Sequence, residues 1–113
     1  ETSDNGFIAI SSSDKIELIK VEDIMYCKAE GKYTEFVLSN GTKILSSKNL
    51  GEYNSVLSYS YFFRIHHGYV INIQHVSRIN LGKNSCYLQN NEIVLPFSRT
   101  YKSNIDTIIL KIS

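Results

Sequence analysis

Apolar residues in this chain come in short runs, and between them lie clusters of Ser, Asn, Asp and Gly. Runs at 7–10, 15–19 and 21–27 are too brief for stable helices and read as strands, with Ser11-Ser12-Ser13-Asp14 as the turn between the first two. Thr34, Phe36 and Leu38 then alternate with Tyr33, Glu35 and Val37. That is a period of two with both faces partly apolar. Asn40-Gly41 follows, and 42–45 returns as a partner strand. Asn-Gly between two β-prone runs signals a hairpin, because both residues tolerate positive φ.

Asn49 and Glu52 form the pattern of a capping box. It opens a short helix near 49–57 with Leu50, Tyr53 and Leu57 on one face. Strands are expected again at 62–65, 69–73, 76–81, 85–88 and 92–95. Turns are expected at Gly68, Gln74-His75, Gly82-Lys83-Asn84 and Asn90-Asn91, and Pro96 ends the last strand because it donates no ladder bond. The tail changes period: Tyr101, Ile105, Ile108, Ile109 and Ile112 lie on one stripe of a helix near 99–112. Ser98 or Thr100 is placed to cap it. Its β-branched content means that packing, not propensity, must hold it. Many short strands with two short helices define a mainly-β domain.

At 113 residues the chain is long enough for one core and too short for two. Glu1–Gly6 reads as the end of a linker and 7–113 as a single domain. No apolar run reaches membrane-spanning length and no signal-peptide pattern opens the chain, so a cytoplasmic setting is expected. The net charge of +1 is weak for a nucleic-acid binder. Its distribution says more. Residues 1–27 sum to −4 and residues 28–113 to +5, so one surface can be positive on a nearly neutral molecule. Cys27 and Cys86 lie in apolar strands without metal-ligand spacing and read as buried free thiols.

Chemistry-bearing residues are few. His66 and His67 are adjacent on a strand, so they face opposite ways and cannot share a metal. No metal or other cofactor is expected. One histidine should be half-buried; the other, beside Gly68, should be exposed and able to bond a base edge or a phosphate. Arg99 follows Ser98 where the tail helix begins. Its guanidinium suits guanine O6 and N7, and a helix start suits phosphate. The alternative is a surface arginine that caps a strand or pairs with Asp106, and composition alone favours it. The loop Lys28-Ala29-Glu30-Gly31-Lys32-Tyr33-Thr34 is either a phosphate contact or a solvated turn. No catalytic motif is present, and an enzyme is not expected.

The order of these segments resembles the LytTR-type DNA-binding domain of bacterial response regulators, over about residues 15–105. Residues 24–34 are similar to that family's opening strand, loop and strand, and Asn40-Gly41 to its hairpin. Lys48-Asn49-Leu50 resembles the lead into its short helix. Phe62-Phe63-Arg64-Ile65-His66-His67-Gly68-Tyr69-Val70-Ile71-Asn72 resembles its F-x-R-x-H-R-S-x-x-V-N signature. Leu95-Pro96-Phe97-Ser98-Arg99-Thr100-Tyr101 resembles its closing P-x-S-R-x-Y element. The resemblance implies several small antiparallel sheets whose loops enter successive major grooves of double-stranded DNA. It places base contacts at the Tyr33–Thr34 region, His67 and Arg99. Lys32, Arg64 and Lys102 become phosphate or orienting contacts, with His66 beside them. It implies an upstream receiver domain, which the linker-like start fits, and a role in transcription regulation within a two-component system. A dimer on repeated half-sites would add avidity. His67-Gly68 departs from the family's usual Arg-Ser, so one charge is missing. The competing reading is a β-sheet protein-interaction module that pairs an exposed strand edge with a peptide or subunit.

Overall fold

The computed structural model describes residues 6–55, 57 and 59–112. The linker expected at the N-terminus therefore lies, apart from Gly6, outside the described residues. The strands are β1 (Phe7–Ser12), β2 (Lys15–Lys20), β3 (Ile24–Glu30), β4 (Tyr33–Leu38), β5 (Lys43–Ser46), β6 (Phe62–His66), β7 (Tyr69–Asn72), β8 (Val76–Asn80), β9 (Ser85–Leu88) and β10 (Ile93–Pro96). The helix α1 spans Lys102–Ile112. All pairings are antiparallel, and the strands form three sheets: β1-β2, β10-β9-β8 and a central β5-β4-β3-β7-β6. The mainly-β expectation holds.

The central sheet is covered on both faces. Cys27 stands opposite Phe36 and Val70, and Tyr26 opposite Val37 and Ile71. The first set joins Ile8 and Ile10 of β1 and Leu50 and Tyr53 in one core. Val37 and Ile71 join Cys86, Leu88, Leu95, Ile105 and Ile108 in a second core, so the β8–β10 sheet and α1 close the opposite side. A bulge in β3 between Ile24 and Tyr26 lets the neighbours Met25 and Tyr26 both face the second core, with Ile24 and Cys27 in the first. Burial of large apolar side chains on both faces is what stabilises so small a sheet.

Several elements are shorter than their sequence patterns predict. Val21–Asp23 is a 3₁₀ turn and not the start of β3. Val21 is buried and its amide donates to the Gly6 carbonyl at 2.8 Å, which turns the chain from the β1-β2 hairpin into the central sheet. The helix expected near 49–57 is 3₁₀ over Leu50–Tyr53, with its capping box in place: Asn49 Oδ1 accepts from the Glu52 amide at 3.0 Å and Glu52 Oε2 from the Asn49 amide at 3.2 Å. Leu50, Tyr53 and Leu57 are all buried, as their spacing predicts. β7 stops at Asn72, whose side-chain carbonyl accepts from the Gln74 amide and caps the 3₁₀ turn Ile73–His75. The tail enters α1 through a 3₁₀ turn at Arg99–Tyr101. Ser98 holds the cap position, but its hydroxyl makes no capping bond. Among the described residues no helix is long and apolar enough to cross a membrane.

Candidate nucleic-acid interface

Three connecting segments meet at one end of the central sheet. β3 turns into β4 through Gly31-Lys32, closed by the pair Glu30 and Tyr33. Gly31 has φ +62°, a left-handed conformation that favours glycine, so this tight turn depends on it. β6 turns into β7 through His67-Gly68, closed by the pair His66 and Tyr69. Since β3 lies between β4 and β7, the two turns are neighbours, and the Ala29 amide donates to the Gly68 carbonyl at 2.8 Å. The third segment, Ser98–Tyr101, is pinned to β6: the Ser98 amide donates to the Ile65 carbonyl at 2.9 Å, and Asn104 Nδ2 to the Arg64 carbonyl at 2.8 Å.

The side chains on these segments divide by what they touch. Arg64 is half-buried and turned inward: Nε donates to the His66 carbonyl at 3.1 Å, an Nη donates to the His67 carbonyl, and the guanidinium faces the Tyr101 ring at 5.9 Å. His66 Nδ1 accepts from the Gly68 amide at 3.0 Å, and its ring packs on Tyr69, so the neutral ring carries its proton on Nε2. These two residues shape the β6-β7 tip. His67, at the tip itself, is exposed. Lys32, Tyr33 and Arg99 are exposed as well, and the Lys32 and Arg99 side chains have no hydrogen-bond or ion-pair partner among the described residues. The alternative pairing of Arg99 with Asp106 does not occur; Lys102 takes that carboxylate at 2.9 Å. Lys28 is likewise taken, by Glu30 at 3.1 Å, and that contact holds its ammonium pKa above the ordinary value.

Thr34 departs from the expected arrangement. It is fully buried and its hydroxyl donates to the Lys48 carbonyl at 2.9 Å. Its neighbour Tyr33 therefore faces outward, because successive residues of a strand point to opposite sides. Its side chain offers no exposed surface, and the residue ties β4 to the segment that follows β5.

A further feature at this end of the sheet has little signature in the residue pattern. The Ser47 amide donates to the Ser11 carbonyl at 2.9 Å and brings the β1-β2 tip to the same sheet end. A cavity of about 360 Å³ lies there, lined by Ser12, Ser13, Tyr33, Leu45, Ser46 and Ser47. The serine run at 11–13 was the available signal, and as a turn pattern it carried no indication of its neighbours. Among the described residues, no group of three or more His, Cys, Asp or Glu is placed to hold a metal ion.

Comparison with known proteins places this arrangement. Residues 14–109 match the family model for the LytTr DNA-binding domain. The chain is 28% identical over 102 residues to the transcriptional regulatory protein YpdB of Escherichia coli K12, covering 88% of this chain and 41% of that protein. It is 26% identical over 110 residues to the sensory transduction protein LytT of Bacillus cereus, covering 90% of this chain and 42% of that protein. The chain thus spans about two-fifths of the length of these curated relatives. A solved LytTr DNA-binding domain from Bacillus cereus superposes with a TM-score of 0.75 at 20% identity, over 92% of this chain and 96% of that one, and shares its fold.

Proposed function

Because the chain belongs to the LytTr DNA-binding domain family, we propose that it binds double-stranded DNA sequence-specifically, as the output domain of a transcriptional response regulator. One observation carries the reading: the exposed Lys32, Tyr33, His67 and Arg99 sit on three segments anchored at one end of one sheet. Base contacts belong to Tyr33, His67 and Arg99, and Lys32 and Lys102 lie at phosphates. Arg64 and His66 act behind them by holding the tip. Thr34 has no place in the contact set.

The dimensions set how much of a groove the row of segments covers. Adjacent strands are about 4.8 Å apart, so β4 to β6 spans roughly 14 Å before the Arg99 segment is added. A major groove is about 12 Å wide. That span is close to one groove width, and successive major grooves lie about 34 Å apart, so a second groove requires the Arg99 segment to reach well beyond the β3-β4 turn. Phosphate contacts set register and affinity, while the arginine fork and the imidazole discriminate base edges.

With few free cations at the site, the isolated chain binds modestly. A second copy on a repeated half-site raises avidity, and a receiver domain in the longer protein controls that pairing. Residues 7–113 act as one unit in this reading, in the cytoplasm and with no catalytic step. An interaction module without nucleic acid is not favoured, given the family. The test is a titration of duplexes selected from a random pool against scrambled ones at two salt concentrations. Tighter binding to the selected duplex supports the reading; equal binding, or none at low salt, contradicts it.

A further inference from the structure

We propose that the β1-β2 tip and the end of β5 form a further contact, a clasp for one DNA backbone phosphate and its sugar outside the three reading segments. The proposal rests on the DNA-binding reading above. It starts from the cavity beside Tyr33, whose walls are Ser12 and Ser13 on one side and Leu45, Ser46 and Ser47 on the other. The chemistry of this wall is mixed in a particular way. Ser13 and Ser47 are exposed, and their hydroxyls have no partner among the described residues. Tyr33 and Leu45, 48% and 51% exposed, supply apolar surface at the same opening. Hydroxyl donors beside an aromatic and an aliphatic face match a phosphodiester flanked by deoxyribose, and serine is among the side chains that contact phosphate. Lys48 follows Ser47 and is exposed, and the exposed Lys15 pairs with Ser12 at the tip, so each side of the wall has a lysine next to it in the chain or across the hairpin.

Position gives the clasp its register. Tyr33 belongs at once to the cavity wall and to the β3-β4 turn, so a strand of DNA read by that turn passes the serines next. Arg99 lies beyond β6, at the far side of the row. The clasp therefore extends the footprint on one side only. The tip is also firmly placed. The Ser47 amide holds the Ser11 carbonyl, and Ser13 closes the hairpin with φ +59°. Asp14, exposed at the same tip, works against an anion and makes the charge prediction two-sided.

Uncharged methylphosphonate linkages, placed one at a time along a selected duplex, test this directly with the 113-residue chain. Ser13→Asp weakens binding about fivefold or more, equally for selected and scrambled duplexes, because a phosphate contact reads no sequence. Asp14→Asn strengthens it. A methylphosphonate at one flanking position removes the penalty of Ser13→Asp and leaves the effect of Arg99→Ala intact. Asp suits the same left-handed backbone at Ser13, and a urea-denaturation midpoint of Ser13→Asp equal to that of the original chain shows that the hairpin still folds. The proposal is overturned if Ser13→Asp and Asp14→Asn both bind like the original chain, or if no single linkage cancels the Ser13→Asp penalty. Failure of the original chain to bind any duplex overturns the DNA reading itself, and the clasp with it.

Discussion

Arg64 Nε donates to the carbonyl oxygen of His66 at 3.1 Å, on the strand that leads to the exposed His67. The same guanidinium reaches the His67 carbonyl, so Arg64 closes the β6-β7 tip from behind. Arg99 makes no such bond and projects into solvent. Two arginines of equal charge thus stand differently, one fixing the shape of a tip and the other open to solvent.

Arg64→Ala and Arg99→Ala are expected to fail in different ways. The first leaves two carbonyls without their donor and lowers stability by about 1–2 kcal/mol, measured by urea denaturation, with weaker binding to every duplex. The second changes stability by less than about 0.5 kcal/mol and lowers the ratio of affinities for selected and scrambled duplexes by about tenfold or more, the share of one base-reading arginine. Equal losses of stability would contradict the division of roles.

Thr34→Val removes a buried hydroxyl that donates to the Lys48 carbonyl, with little change of shape. The expected cost is about 1–2 kcal/mol of stability, since the carbonyl loses its donor. The ratio of affinities for selected and scrambled duplexes stays the same. A changed ratio with unchanged stability would put Thr34 back among the contacts.

Gly68 does not need to be glycine for conformational reasons. Its φ is not positive, and an added Cβ would sit 3.7 Å from His66 Nδ1, an ordinary contact. Gly68→Ser should therefore fold normally, and His67→Arg beside it restores a permanent cation at the tip. The double variant is expected to bind several-fold tighter in low salt, with a slope of log affinity against log salt steeper by about one. An unchanged slope would mean that the tip faces no phosphate.

Both cysteines titrate high. Burial raises the Cys27 thiol far above the ordinary range and pushes Cys86 up to about 11. Protonated thiols are poor nucleophiles, so neither reacts with iodoacetamide at pH 8 unless the chain opens. Stability follows the same linkage. The unfolded thiols ionise near pH 9 and the folded ones later, so their contribution is complete below pH 9. It declines as pH rises through 11, by on the order of 2 kcal/mol for Cys86. Rapid labelling at pH 8 under native conditions would contradict their burial.

Much of this arrangement was legible in residue patterns, for reasons that are local. The Asn40-Gly41 hairpin and the Asn49–Glu52 capping box are short-range devices, and both are present: Gly41 carries φ +92°, and the capping bonds of Asn49 and Glu52 are reciprocal. Thr34 was not legible, because Phe36 and Val37 are both buried and the alternation no longer tells which face is outside. Nor was the role of Arg64, which depends on two carbonyls that only the folded turn brings together. Val21–Asp23 looked strand-like through Val21, although its burial serves a 3₁₀ corner. The β1-β2 tip escaped notice because its neighbour, Ser47, is far away in sequence and close only through the Ser11 carbonyl.

The most direct measurement is a paired titration: a selected duplex and its scrambled form, each against the unaltered chain and Arg99→Ala, at two salt concentrations. Discrimination by the unaltered chain is predicted, with a slope of about −2 to −3 in log affinity against log salt, as a few phosphate contacts require. Arg99→Ala is predicted to discriminate less, by about tenfold or more, with the remainder carried by Tyr33 and His67. Identical selectivity in the two proteins, or binding insensitive to salt, would contradict the account.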